Sequence, residues 1–136
     1  MIDPGNKEAQ NYVVSVITDV VKRYDIDGVH FDDYFYPYKE KDAVWDDAKE
    51  YQQYGRFFTN IDDWRRNNVS YLIVSVAQAI KAQKPHVRFG ISPFGVWRNK
   101  DRDPTGSDTK AGITCYDDLY ADIRLWLKSG WLDYVA

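Results

Sequence analysis

Segments with helical and strand-like patterns alternate along the chain, and this alternation constrains the fold more than any other feature. Apolar residues recur at helical spacing in three segments: residues 7–24, 62–84 and 117–129. Apolar and polar residues alternate with the two-residue period of a strand at residues 29–32 and 87–92, and the mostly apolar residues 131–136 are predicted to begin a third strand. The order helix, strand, helix, strand, helix, strand predicts an α/β fold with a parallel sheet and helical crossovers.

Residues at the segment ends support these boundaries. Asn6 is predicted to cap the first helix, and Pro85 closes the second. Asp117 is predicted to cap the third helix, which ends at Gly130. In the first strand, the polar side chains of His30 and Asp32 are expected on the face away from the helices, as is Gly28.

Two long loops rich in aromatic residues follow the first two strands, at residues 35–60 and 93–115. Loops of this length are uncommon unless they are functional. Their position predicts a site at the carboxyl ends of the strands, as in a (β/α)8 barrel. A flavodoxin-like open sheet shows the same alternation but does not usually need two such loops. Three strands cannot close a barrel of eight, so we interpret residues 1–136 as a fragment of a single (β/α)8 TIM barrel.

Composition narrows the range of ligands. The net charge of −3 comes without a basic cluster, which argues against a nucleic-acid partner. The single Cys115 cannot form an internal disulfide, and no Cys/His spacing suits zinc, so no cofactor is predicted. Aromatic residues make up 16% of the chain, more than a small core can enclose, which favours a ligand that stacks on rings.

Five ordered motifs carry a family resemblance: DPGN at residues 3–6, DGVHFDDYFYP at 27–37, WRRNNV at 64–69, FGISPFGVWRN at 89–99 and GWLDY at 130–134. Together they resemble the bacterial glycosyl-hydrolase-like family 10, also called domain of unknown function 187. The resemblance implies a (β/α)8 barrel, of which this chain supplies about the end of strand 3 through strand 6. It also implies a glycosidase acting on peptidoglycan glycan strands, in an exported protein or lipoprotein.

Asp32 and Asp33 are the predicted catalytic residues, because glycoside hydrolysis needs two acidic roles. Asp32 lies on the inward face at a strand end, and its spacing from Asp27 is similar to the nucleophile strand of α-amylase-type barrels. That similarity is incomplete, since His30 stands where those enzymes carry Arg. If the two carboxyls approach each other, Asp33 and Asp32 raise the pKa of one member of the pair and so provide a proton donor. In the alternative interpretation, Asp33 caps the loop or pairs with Arg65 or Arg66.

Five further residues are predicted to bind substrate at the ends of the strands: His30, Ser92, Trp97, Arg98 and Asn99. His30 either binds a sugar hydroxyl and orients Asp32 or is a satisfied inner-face histidine. No His–Asp relay for Ser92 is evident in the sequence, so Ser92 is expected to recognise a hydroxyl rather than act as a nucleophile.

Aromatic residues of the two loops form a further predicted substrate-binding set: Tyr34, Tyr36, Tyr38, Trp45 and Trp97. Sugar rings pack their apolar faces on aromatic side chains, although each ring alone is as well explained by packing within its loop. Tyr116, Tyr120 and Trp126 recur along the third predicted helix and are interpreted mostly as core.

These features lead to the hypothesis of a glycoside hydrolase, retaining or substrate-assisted, acting on a bacterial cell-wall or other N-acetylated polysaccharide. A saccharide-binding module derived from such a barrel is the alternative. A metal-dependent hydrolase using His30, Asp32 and Asp33 is less favoured, because the other histidine, His86, falls at the opposite strand end. The isolated fragment is expected to be inactive or to self-associate through its open barrel edges.

Overall fold

The structure, a computed structural model, describes residues 2–38 and 45–136. Its elements follow the order α1 (Lys7–Arg23), β1 (Gly28–Phe31), α2 (Ala48–Tyr54), α3 (Ile61–Gln83), β2 (Arg88–Ile91), α4 (Ile123–Lys128) and β3 (Tyr134–Val135). The predicted alternation is thus confirmed, with α2 as a short additional helix within the first long loop. No helix in the described ranges has both the length and the apolar character needed to cross a bilayer.

The described strands form one parallel sheet in the order β1-β2-β3. His30 pairs with Gly90, and Gly90 pairs in turn with Tyr134, so these three residues form one row across the sheet. Parallel strands need long crossovers, which α3 and α4 supply. This confirms the predicted α/β architecture, in which the two long loops follow the carboxyl ends of β1 and β2.

One face of the sheet is covered by helices. Val87, Phe89 and Ile91 of the β2 segment are fully buried there, as predicted from the alternation. Burial of each such side chain stabilises the fold by about 1.5–3 kcal/mol. Helix α3 supplies the facing side chains, including Ile73 and Ile80. The opposite face carries exposed His30 and Arg88, and none of the described helices covers it.

Side-chain caps begin the two long helices. The Asn6 side chain accepts a hydrogen bond from the Ala9 amide at 3.0 Å, which confirms it as the N-cap of α1. Asn60 caps α3 in the same way through the Asp63 amide at 2.8 Å. Each cap satisfies an amide that has no partner within its helix.

The third predicted helix begins later than expected. Asp117 is not its N-cap; the helix starts at Ile123, and Asp122 caps it. Two features prevent an earlier start, one of them a contact with a distant residue. Asp117 is bound by the Arg98 guanidinium at 2.8 Å, and Tyr120 has φ of 54°, in the left-handed region. A helix cannot pass through such a residue.

A buried ion pair ties the first long loop to α3. Asp47 is 1% exposed and accepts two hydrogen bonds from Arg65, both at 2.7 Å. The Arg65 guanidinium also lies over the rings of Tyr36 and Tyr120. Hydrogen bonding to Asp47 raises the pKa of Arg65 further above its usual value, so the guanidinium stays charged.

Substitution of Asp47 by alanine is expected to lower the free energy of unfolding by about 3 kcal/mol, because the Arg65 guanidinium, whose side chain is only 14% exposed, loses both of its hydrogen bonds to that carboxylate. Urea denaturation measures this change. The matched control is Asp19→Ala, which breaks the exposed Asp19–Arg23 pair on α1 and should cost less than about 1 kcal/mol. Equal losses in the two variants would show that the Asp47 pair contributes no more than a surface contact.

Candidate active site

The carboxyl ends of β1 and β2 bring the principal candidate residues together. The Ser92 amide donates a hydrogen bond to the Phe31 carbonyl at 2.8 Å, so the pairing continues past the end of each strand. Extending the register by one residue places Asp32 beside Ser92. Asp32 and Ser92 each lie two residues beyond His30 and Gly90, so their side chains fall on the same open face of the sheet.

Asp32 faces a cavity of about 390 Å³. The cavity is lined at this end by Asp3, His30, Asp32 and the exposed ring of Tyr34. Asp32 itself is exposed, and one of its carboxylate oxygens accepts the Asp33 amide at 2.9 Å. Within residues 2–38 and 45–136, no other group occupies this carboxylate, so its remaining acceptor positions are open to a ligand.

Asp3 is a carboxylate of the same cavity to which sequence reasoning assigned no role. Its side chain accepts the Gly5 amide at 2.7 Å, in the turn formed by the DPGN motif. Burial raises the pKa of Asp3, and the nearby carboxylates of Glu50 and Asp47 add to that effect. The DPGN motif was the sequence feature that could have drawn attention to Asp3, but only the fold shows that Asp3 lines the same cavity as Asp32.

Asp33 points to the other side of the strand end. Its carboxylate accepts a hydrogen bond from the Tyr38 hydroxyl, and this bond raises the pKa of Tyr38 to about 12. The alternative pairing with Arg65 or Arg66 is wrong, because those side chains bind Asp47 and Asp63. Asp33 is therefore held by the loop that follows β1, and it does not line the cavity with Asp32.

His30 and Ser92 are in direct contact. The Nε2 atom of His30 lies 2.9 Å from Ser92 Oγ, and the Nδ1 atom lies 3.0 Å from the Tyr134 hydroxyl. Ser92 thus has a histidine partner that was not evident from the sequence, since 62 residues separate the two. The group on the far nitrogen is a tyrosine, so a Ser–His–Asp relay is absent from this contact.

Trp97, Arg98 and Asn99 hold their own loop together. Arg98 donates two hydrogen bonds to Asp117, at 2.8 and 3.0 Å. The Asn99 side chain donates to the Ala111 carbonyl at 2.8 Å and accepts the Ala111 amide at 2.9 Å. The Trp97 indole N–H donates to Asp122 at 3.3 Å. The structure does not bring these three residues into the cavity beside Asp32.

The aromatic residues of the first loop separate into two groups. Tyr34 is exposed and lines the cavity, where its ring face is accessible. Tyr36 is only 1% exposed and packs edge-on against Tyr120 and Trp45. The prediction that Tyr36 stacks on a sugar is therefore wrong for this structure, because it is a core residue with no open ring face.

Cys115 is a buried thiol whose pKa is affected by the charge of Asp33. The thiol is buried and donates a hydrogen bond to the Phe94 carbonyl at 2.9 Å. Burial, with a smaller contribution from the Asp33 charge, raises the pKa of Cys115 to about 12.

Within the described residues, no group of three histidine, cysteine or acidic side chains is arranged to hold a metal ion.

Native Cys115 is expected to resist thiol reagents at pH 8 and to react fully in urea, because burial protects it and keeps the thiol protonated. Asp33→Asn should lower the thiol pKa and speed its labelling, since a negative charge beside it is removed. Labelling rates from pH 7 to 10 measure both effects. Asp25→Asn, in the turn at the opposite strand ends, is the control. A labelling rate in Asp33→Asn no faster than in this control would contradict an effect of the Asp33 charge on the thiol.

Comparisons with known proteins agree with the motifs. A family model described as glycosyl hydrolase-like 10 matches residues 1–136. Glycosyl hydrolase YngK of Bacillus subtilis strain 168 is 59% identical over 134 residues, which is 98% of this chain and 26% of that protein. Glycosyl hydrolase DigH of Escherichia coli K12 is 48% identical over 136 residues, 100% of this chain and 30% of that protein. The chain therefore spans less than a third of these relatives, and it belongs to the glycosyl hydrolase-like 10 family.

Proposed function

We propose that the whole protein is a glycoside hydrolase acting on a bacterial cell-wall or other N-acetylated polysaccharide. The observation that carries this proposal is Asp32, an exposed carboxylate at the carboxyl end of β1 that faces a cavity beside His30 and the open ring of Tyr34. An aromatic face and polar groups around a carboxylate suit a sugar ring. Asp32 acts as the nucleophile or as the carboxylate that orients an acetamido group.

Hydrolysis needs a second acidic group to protonate the leaving oxygen. Asp33 is less favoured for this role than the sequence suggested, because Tyr38 binds its carboxylate and it does not line the cavity. Asp3 lines the cavity, and its raised pKa favours the protonated form that a proton donor requires. A carboxylate from the rest of the protein is the other source of this group.

The proposed architecture is a (β/α)8 barrel, within which residues 1–136 form one continuous part of a single catalytic domain. Three parallel strands with helices on one face and polar groups on the other support it. Between α1 and α3, the cavity continues along β1 and is lined by apolar side chains such as Val13 and Leu72. In a closed barrel, a neighbouring strand covers this part. We also propose that the whole protein is exported to the periplasm or the cell surface.

Substitution of Asp32 by asparagine in the whole protein is expected to reduce turnover of peptidoglycan glycan strands by at least about a thousandfold, because the essential charge is lost. Binding of the same glycan should change far less, since asparagine keeps the shape and most hydrogen bonds. Turnover is measured by release of reducing ends, and binding by calorimetry.

Asp25→Asn is the matched control, because Asp25 is exposed in a turn at the opposite strand ends. Full activity of the control with loss in Asp32→Asn supports the assignment. Glycan binding by the intact protein without any turnover would instead support the alternative, a saccharide-binding module built on the same barrel.

The 136-residue chain expressed alone is expected to self-associate and to lack glycosidase activity. Both β1 and β3 are edge strands among the described residues, and α1 exposes an apolar stripe along its outer side: Tyr12, Val16, Val20 and Tyr24. Open strand edges and apolar stripes pair with other chains. Sedimentation velocity should detect dimers or larger species.

Val16→Lys, in the middle of that stripe, should shift sedimentation toward smaller species, whereas Gln53→Lys on the exposed side of α2 should not. A monomer that turns over glycan would contradict the expectation, because it would show that this segment needs no further strands.

A further inference from the structure

Tyr134 reaches His30 across the middle strand of the sheet. His30, Gly90 and Tyr134 share one row, with Gly90 between the other two residues. A Cβ atom at position 90 would overlap the Tyr134 ring, so the ring lies flat over β2 only because residue 90 is glycine. The two rings are nearly parallel, at an interplanar angle of 21°. Gly90 therefore makes the contact between the outer strands possible.

Both nitrogen atoms of His30 have hydroxyl partners. The Tyr134 hydroxyl lies 3.0 Å from Nδ1, and Ser92 Oγ lies 2.9 Å from Nε2. A neutral imidazole carries one N–H and one acceptor nitrogen, so one hydroxyl must donate and the other must accept. The direction of this chain of hydrogen bonds decides what Ser92 can offer a ligand.

The chemistry of the two hydroxyls favours one direction. A phenol is more acidic than an aliphatic alcohol, with a pKa of about 10, and its oxygen is a poorer acceptor because the ring withdraws its lone pair. Tyr134 is thus the better donor to Nδ1. The proton of a neutral histidine then resides on Nε2, since the partner of one nitrogen sets the state of the other.

We propose that Tyr134 is a positioning residue that donates to His30, so that His30 donates from Nε2 to Ser92 and the Ser92 hydroxyl donates to the bound ligand. Ser92 lies beside Asp32, two residues beyond Gly90 toward the loops. On the proposed function, its partner is an acceptor oxygen of the saccharide. With a proton on Nε2, His30 cannot serve as the base for Ser92, so Ser92 recognises substrate and does not attack it.

Nitrogen-15 NMR of the whole protein with labelled histidine tests the direction, at about pH 8, where a histidine of ordinary pKa is neutral. The His30 signals are assigned by their absence in His30→Gln. The expected result is a protonated Nε2 and an unprotonated Nδ1. Tyr134→Phe keeps the ring over Gly90 but removes the donor, so it should populate the other tautomer, whereas the exposed Tyr71→Phe should leave the His30 signals unchanged.

Glycan kinetics give the second readout. Ser92→Ala and Tyr134→Phe are both expected to raise KM by about two- to tenfold, the effect of one lost hydrogen bond, with a smaller change in kcat. Protonated Nδ1 in the wild-type protein, or an unchanged tautomer in Tyr134→Phe, would overturn the proposal. The tautomer is measured without substrate, so failure of the proposed glycosidase function leaves this test intact.

Discussion

The parallel pairing of β1 with β2 is the constraint on which the rest of the structure depends. It fixes which side chains face the helices and which face the open side, because a shift of one residue would exchange the two sets. Phe89 and Ile91 enter the core in this register, while Asp32 and Ser92 meet at the strand ends. The same pairing therefore provides both the main burial of the sheet and the candidate site.

Local signals were sufficient to predict the helices and strands whose boundaries depend on nearby residues. Asn6 and Asn60 cap their own helices, and the apolar period persists over several turns of α1 and α3. The start of α4 was predicted wrongly because distant contacts override the local pattern there. Arg98, on the preceding loop, binds Asp117 and holds the segment in a turn. A capping residue has no effect where its carboxylate already has a stronger partner.

The sequence predicted where on the strands the candidate site lies, but not which of its side chains contact each other. Asp32 was identified because the end of a strand on the polar face can be deduced from a two-residue period. The contact of His30 with Ser92 and the burial of Tyr36 depend on residues far apart in sequence, so no local pattern carries them. Trp97, Arg98 and Asn99 were predicted to bind substrate because polar and aromatic loop residues can either bind a ligand or hold the loop in place. In the structure they form hydrogen bonds with other residues of the connection between β2 and α4.

The open face of the sheet also shows why Gly90 matters beyond its own strand. Neighbouring strands lie about 4.8 Å apart, so side chains on β1 and β3 are separated by roughly twice that distance. Tyr134 bridges the gap only over a residue without a side chain. A Cβ atom at position 90 would overlap the Tyr134 ring and so move it away from His30. The helix-facing side chains of Phe89 and Ile91 pack the sheet against its helices, and the glycine between them allows the contact of Tyr134 with His30 on the other face.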